Sequence, residues 1–244
     1  MQFARLILRD AIRFALPPRC PSCGEIVEAD HRLCPTCWSQ TEFLGQPACA
    51  RCSLPFDHDR GPAAECAACI AEPPLHDGLH AAVAYGAVAR ELMLKLKYGR
   101  RMAHAETAAR MMARVVPSGF DLIVPVPLHR SRIWSRGFNQ AVLIAEGLSQ
   151  RSGVDVARDA LIRVRRTPTL RGMGASKRAK VLAGAFTLNP RASQRVTRRA
   201  ILLVDDVYTS GATTDACIRV LKRAGAARVA VAAFARVLPD REGD

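Results

Sequence analysis

Aromatic side chains are sparse in this 244-residue chain, at 5%: eight Phe, three Tyr and two Trp. Grooves that bind single strands stack bases on such rings, so the composition gives that mode little material. Lysine is scarcer still, with 5 Lys against 31 Arg. No run of about 18 apolar residues occurs, which argues against a membrane-spanning helix. Neither G-K-[ST] nor G-x-G-x-x-G is present, which removes the Walker A loop and the dinucleotide fingerprint. The apolar stretch from Leu6 to Leu16 is broken by Arg9, Asp10 and Arg13, charges that a signal-peptide core lacks. It reads as a short amphipathic helix over residues 1–16. With no export signal, a cytoplasmic location is expected.

What remains is an ordinary globular composition, 49% apolar and 24% charged, enough for a buried core. The net charge of +14 is uneven. Residues 1–80 carry 7 Arg and 10 acids, and residues 81–244 carry 29 bases and 12 acids, so an acidic head of −3 precedes a body of +17. Such a body suits a polyanion: a phosphorylated sugar, a nucleotide or a nucleic acid. Arg-rich genomic composition is the plainer explanation.

Cysteine is almost absent from the body and concentrated in the head. Eight of nine lie in four C-x-x-C pairs: Cys20/Cys23, Cys34/Cys37, Cys49/Cys52 and Cys66/Cys69. Two thiolates three positions apart on a tight turn share one tetrahedral metal, and two such turns complete a four-thiolate zinc site. Two structural Zn²⁺ ions are expected, with adjacent pairs combined in preference to a cross-braced arrangement. A disulfide framework needs an oxidising compartment, for which there is no signal. The head, residues 17–75, is expected to dock on the body or contact protein. Cys217 falls on a predicted helix and reads as core.

The body, residues 76–238 ahead of a tail at 239–244, reads as α/β. Apolar runs at Ala81–Tyr85, Asp121–Val126, Val156–Val164, Ala200–Val204 and Arg228–Ala235 alternate with helical periodicity around Val88–Leu96, Met102–Val115, Phe138–Leu148 and Cys217–Ala224. Continuous apolar runs rather than alternation predict a mostly parallel sheet with helices on both faces.

The most informative stretch is V-D-D-V-Y-T-S-G-A-T-T, Val204 to Thr214. Asp205 and Asp206 stand at a strand's C-terminal edge, where open α/β sheets bind ligands. Thr209, Ser210, Gly211, Ala212 and Thr213 then open a helix whose first N–H groups make an anion cradle. Carboxylates suit sugar hydroxyls or magnesium-bound water, and the pattern reads as a ribose diol beside its 5′-phosphate.

This stretch resembles the phosphoribosyl-pyrophosphate (PRPP) loop of type I phosphoribosyltransferases. The four-pair head, L-K-Y-G-R-R at Leu96, P-V-P-L-H-R-S-R at Pro125, R-G-F-N-Q at Arg136, R-R-T-P-T at Arg165 and G-A-F at Gly184 precede it. In that order they resemble the ComF family of competence-associated, phosphoribosyltransferase-like proteins. The resemblance implies that Asp205 and Asp206 contact the ribose hydroxyls and that Arg130 and Arg132, in the place of the pyrophosphate loop, pair with diphosphate oxygens. Arg136 is then a ligand residue and Phe138 core. Residues 163–180, with seven bases and no acid, occupy the place of a flexible catalytic loop, so Arg165, Arg166 and Arg171 are candidates there. Leu170 and Val181 depart from the family's usual Gln and Asn. The ligands implied are Mg²⁺ with PRPP. The partners that the resemblance implies are single-stranded DNA or proteins of the DNA-uptake machinery. Two functions stand side by side: a competence factor that binds PRPP or DNA, and an active phosphoribosyltransferase with an unnamed acceptor. Exchange of both aspartates to Asn is expected to weaken binding and spare the fold.

Overall fold

The computed structural model describes residues 16–99, 101–167 and 175–239. The helix expected over residues 1–16 lies outside them except for Leu16, as do Leu170, Arg171 and the tail beyond Pro239. The elements run α1 (Pro35–Ser39), α2 (Ala67–Ala71), β1 (Leu79–Ala84), α3 (Ala87–Tyr98), α4 (Ala103–Met112), β2 (Leu122–Pro125), α5 (Arg130–Arg136) and α6 (Gln140–Ser152). They continue β3 (Leu161–Arg163), α7 (Ala175–Leu182), β4 (Phe186–Leu188), α8 (Ser193–Val196), β5 (Ala200–Tyr208), α9 (Ala212–Arg223) and β6 (Arg228–Arg236).

Four strands form a parallel sheet in the order β1-β6-β5-β2. Val156 extends it by a parallel bridge to Ile123, while β3 and β4 form a separate antiparallel ribbon. Alternate strand residues feed two cores. Ile123, Leu202, Val204, Ala230 and Ala232 pack with α3, α4 and α6. Leu122, Val124, Ile201, Leu203, Val229 and Val231 pack with α9. Burial on both faces is the reason these strands read as continuous apolar runs. The mostly parallel, doubly covered sheet and the Cys-rich module are as expected. Cys217 is fully buried in the second core, and Phe138 packs against the first.

The elements differ from the sequence reading in several places. The run Val156–Val164, expected as one strand, is split: Val156 makes an isolated parallel bridge to Ile123, and only Leu161–Arg163 form a strand, which pairs antiparallel with β4 outside the main sheet. β5 continues four residues past Val204, because Asp205 to Tyr208 keep parallel register with Ala233 to Arg236. The basic stretch after β2 contains a helix, α5, opened by His129, whose ring accepts from Ser131 N–H. Its R-S-R-I-W-S-R sequence buries no residue, so no apolar periodicity announced it.

The head packs directly on the body. Leu44 N–H donates to Ala82 C=O (3.0 Å) and Ala84 N–H to Glu42 C=O (2.8 Å), laying an antiparallel stretch along β1. Cys20, Leu33, Cys34 and Cys37 share the core of α3 and α4.

Candidate phosphate-binding cleft and zinc sites

The cleft is built where β5 hands over to α9. Gly211 is the N-cap of α9 and has φ +75°, the left-handed region that glycine enters without strain. It makes no side-chain cap, so the helix's leading N–H groups are left for a ligand. A Cβ built on Gly211 would stand 2.6 Å from the Tyr208 hydroxyl oxygen. Glycine is therefore demanded twice, by conformation and by the tyrosine. Thr214 Oγ1 donates to Gly211 C=O (2.7 Å) and tightens the turn.

Asp205 and Asp206 are neighbours on a strand, so their side chains leave opposite faces of the sheet. Asp206 goes toward α3 and α6 and is buried, 5% exposed. It pairs with Lys97 Nζ and accepts from Gln140 Nε2 (3.1 Å). Burial alone would raise its pKa, but the Lys97 cation and these hydrogen bonds hold it below the usual carboxylate range. Lys97 is in turn pushed up, its burial outweighed by Asp206. Asp205 takes the other face and accepts from Asp206 N–H (2.8 Å). Burial and then the neighbouring Asp206 charge push it well above the ordinary value. The two aspartates are thus unlike: one is engaged internally, the other is left to the cleft.

The cleft has a volume of 530 Å³ and is lined by both aspartates, by Thr209 to Thr214 and by five cations, Arg90, Lys97, Arg132, Arg136 and Arg163. Arg132 and Arg136 are one turn apart on α5 and reach it together; Arg136 also donates to Gln140 Oε1 and lies 5.6 Å from the Tyr98 ring centre. Arg130, on the same helix, is exposed and does not line the cleft. Neither do Arg165 and Arg166. Arg165 donates to Val181 C=O (2.8 Å) and Ala183 C=O (2.9 Å), closing the C-terminal end of α7.

Lys97, Gln140 and Arg163 belong to the cleft although the sequence reading gave them no role. Lys97 and Gln140 sit in motifs already quoted, L-K-Y-G-R-R and R-G-F-N-Q. Arg163 lies 5.2 Å from the Phe186 ring centre and bonds the Thr167 hydroxyl, while its buried Nε has no partner among the described residues. Its signal was only its place at the head of the basic run.

The eight head cysteines form two clusters, Cys20/Cys23/Cys34/Cys37 and Cys49/Cys52/Cys66/Cys69, each with its sulfurs within 4.8 Å of one another. The adjacent pairs combine as expected, and none of the eight is in a disulfide. Backbone donors address the sulfurs, Cys37 N–H to Cys34 Sγ (3.4 Å) and Cys66 N–H to Cys49 Sγ (3.3 Å), as thiolate ligands require. The donor set fits tetrahedral zinc. Among the described residues no helix is long and apolar enough to cross a membrane.

Comparison with known proteins agrees with this anatomy. The double zinc ribbon domain profile matches residues 11–70 and, with the two four-cysteine clusters, supports two structural zinc ions. The chain is 32% identical over 214 residues to the DNA utilization protein YhgH of Escherichia coli K12, covering 84% of this chain and 91% of that protein. It is 29% identical over 227 residues to competence protein F of Haemophilus influenzae, covering 89% and 96%. To competence protein ComFC of Bacillus subtilis it is 25% identical over 212 residues, covering 83% and 82%. A solved glutamine PRPP amidotransferase from B. subtilis overlays 53% of this chain and 25% of its own, with a TM-score of 0.38 and 18% identity.

Proposed function

This chain belongs to the ComF family of competence and DNA-utilization proteins, and on that footing we propose that its cleft binds a 5′-phosphoribosyl ligand, PRPP with Mg²⁺, in the service of DNA uptake or use in the cytoplasm. The observation that carries this reading is the uncapped N-terminus of α9 at Gly211 beside Asp205. The loop N–H groups and the hydroxyls of Thr209, Ser210 and Thr213 suit the 5′-phosphate. Asp205 suits the ribose diol. Arg132, Arg136 and Arg163 suit a diphosphate, whose planar, bidentate recognition favours guanidinium over ammonium. Mg²⁺, when bound, would screen the diphosphate charge and favour its departure.

The test is calorimetry with Mg-PRPP, ribose 5-phosphate and inorganic phosphate as titrants. Saturable binding of PRPP, tighter than ribose 5-phosphate, is expected. No heat with any of them at millimolar concentration overturns the site. Pyrophosphate release on adding acceptors then separates an active phosphoribosyltransferase from a binding protein.

A second reading, single-stranded DNA on the rim, draws on one specific observation. The few aromatics are not all buried in cores. Trp134 on α5 is 95% exposed and Tyr98 beside the cleft 74%, each among arginines. These are the platforms that the bulk composition made scarce. Contacts with DNA-uptake proteins would fall to the head, as suits an acidic module.

A further inference from the structure

The second cysteine cluster forms a small core of its own with Leu54 and Phe56, apart from the two cores of the sheet. Its turn is nevertheless bonded to the strands that carry the phosphate loop. Leu79 N–H, at the start of β1, donates to Arg51 C=O (2.8 Å), and Ser53 Oγ donates to Leu79 C=O. Between them, Cys52 C=O accepts from Arg236 Nη1. Arg236 is the last residue of β6, is only 8% exposed, and its Nε has no partner among the described residues. A buried guanidinium whose Nε has no partner among the described residues is costly to cut off from the acceptor that it has.

Arg236 stands in register with Tyr208, the last residue of β5. Tyr208 carries the link to the loop. Its hydroxyl lies under Gly211, so close that no Cβ fits between them, and 3.5 Å from His76 Nε2. His76 and Tyr208 meet edge to face, with ring centres 6.0 Å apart. Gly78 N–H donates to His76 Nδ1 (3.3 Å), one residue before Leu79. The contacts close a circuit: cysteine turn, Arg236, Tyr208, His76, β1 and back to the turn. The first cluster sits elsewhere, against α3 and α4, where Lys95 donates to Ser22 C=O.

We infer that Arg236 and Tyr208 are positioning residues that tie the Cys49/Cys52/Cys66/Cys69 cluster to the Thr209–Thr213 loop, so that metal held by this cluster, and not by the other, sets the loop's binding conformation. The zinc ions are then not equivalent. One staples the head to the helices, and the other braces the cleft. The consequence for ligand affinity rests on the phosphoribosyl reading of the cleft; the consequence for loop order does not.

The experiment uses the full zinc-loaded chain and reads three quantities: zinc content, loop exchange followed at the Asp215 amide, whose N–H donates to Gly211 C=O (2.8 Å), and Mg-PRPP affinity. Arg236→Met is expected to keep both metals, raise loop exchange by about tenfold and weaken Mg-PRPP by a similar factor. Arg236→Lys, which retains a long donor for Cys52 C=O, should restore most of the protection. Cys52→Ser should lose one zinc and loosen the loop, whereas Cys23→Ser should lose one zinc and leave the loop protected. Equal loop exchange in wild type and Arg236→Met overturns the inference, as does an equal response to loss of either metal. If Cys52→Ser does not fold, the Arg236 pair decides. If wild type binds no Mg-PRPP, the phosphoribosyl reading fails while loop exchange still decides the brace.

Discussion

Adjacent aspartates on one strand cannot share an environment when both faces of the sheet are covered, and Asp205 and Asp206 differ for that reason. Asp206 neutralises Lys97 inside the protein. Asp206→Asn leaves that half-buried ammonium without its counter-charge; losing one partner of a fully buried pair costs about 3–5 kcal/mol, which is the upper bound here. A large fall in melting temperature is therefore expected for Asp206→Asn. Asp205→Asn should instead leave stability unchanged or raised, since like-charge repulsion is relieved, and lose Mg-PRPP affinity by roughly ten- to hundredfold. Calorimetry and thermal melts on the two single variants check this; matching melts would contradict the asymmetry. Exchange of both residues, expected from sequence to spare the fold, is on this geometry expected to spare it at position 205 only. The motif D-D was legible as a pair of carboxylates near a strand's C-terminal end. Its division of labour was not, because Lys97 and Gln140 approach from helices 66 or more residues away in sequence.

Two histidines give a pH dependence of known sign. Burial holds His76 and His104 neutral, with pKa values lowered to about 4 in each. In the unfolded chain they take a proton near pH 6.5. Between those values the unfolded state binds more protons, so their contribution is complete above about pH 6.5 and is lost as pH falls toward 4. The loss is on the order of 2–3 kcal/mol for each fully buried ring. Melts from about pH 7 to 4.5, with zinc content followed in parallel, should steepen accordingly, and His104→Gln should flatten them. An unaltered slope in that variant with zinc retained would refute the assignment.

Among the elements, α4 and α6 pack in close contact. A Cβ on Gly147 would lie 2.6 Å from Ala109 Cβ and 3.3 Å from Glu106 Oε2. Helices in such contact have no slack, and overpacking costs about 1–3 kcal/mol. Gly147→Ala should lower the melting temperature, and Ala109→Gly in the same chain should recover most of it. Additive losses in the double variant would show that the two positions do not meet. Gly147 sits inside a helix where glycine is unfavourable by propensity, and the sequence alone offers no reason for it. α5 was hidden for the opposite cause: it buries no side chain, so the apolar rhythm that reveals helices is missing. Its two cleft arginines, Arg132 and Arg136, were legible as basic residues near a strand end. Only the helix selects them over Arg130, by one turn of periodicity.

Over the whole molecule, charge is the dominant long-range property. With +14 on 244 residues, binding of single-stranded DNA would release counterions, and log affinity should fall linearly with log salt. Arg130→Glu, outside the cleft, should reduce that slope, whereas Trp134→Ala should weaken binding at every salt concentration and leave the slope unchanged. Fluorescence anisotropy of a labelled oligonucleotide from about 50 to 200 mM salt distinguishes the two; absence of binding at low salt removes the nucleic-acid reading.

Chemistry that is local in the chain is written in the order of its residues. C-x-x-C spacing sets which two sulfurs of a pair can share a metal, strand runs set a doubly covered sheet, and the stretch from Thr209 to Thr213 sets a glycine turn ahead of a helix N-terminus, because each depends on residues a few positions apart; which cysteine pairs combine was settled by the fold. Whatever depends on distant segments meeting had to wait for the folded chain. Lys97 and Gln140 converge on Asp206, Arg165 turns to the end of α7 and not to the cleft, and Arg236 carries the second cysteine turn to Tyr208. These contacts join residues from 16 to 184 positions apart, and no periodicity encodes them. They are fixed by which faces of the sheet the helices cover and by the need of each buried charge for a partner.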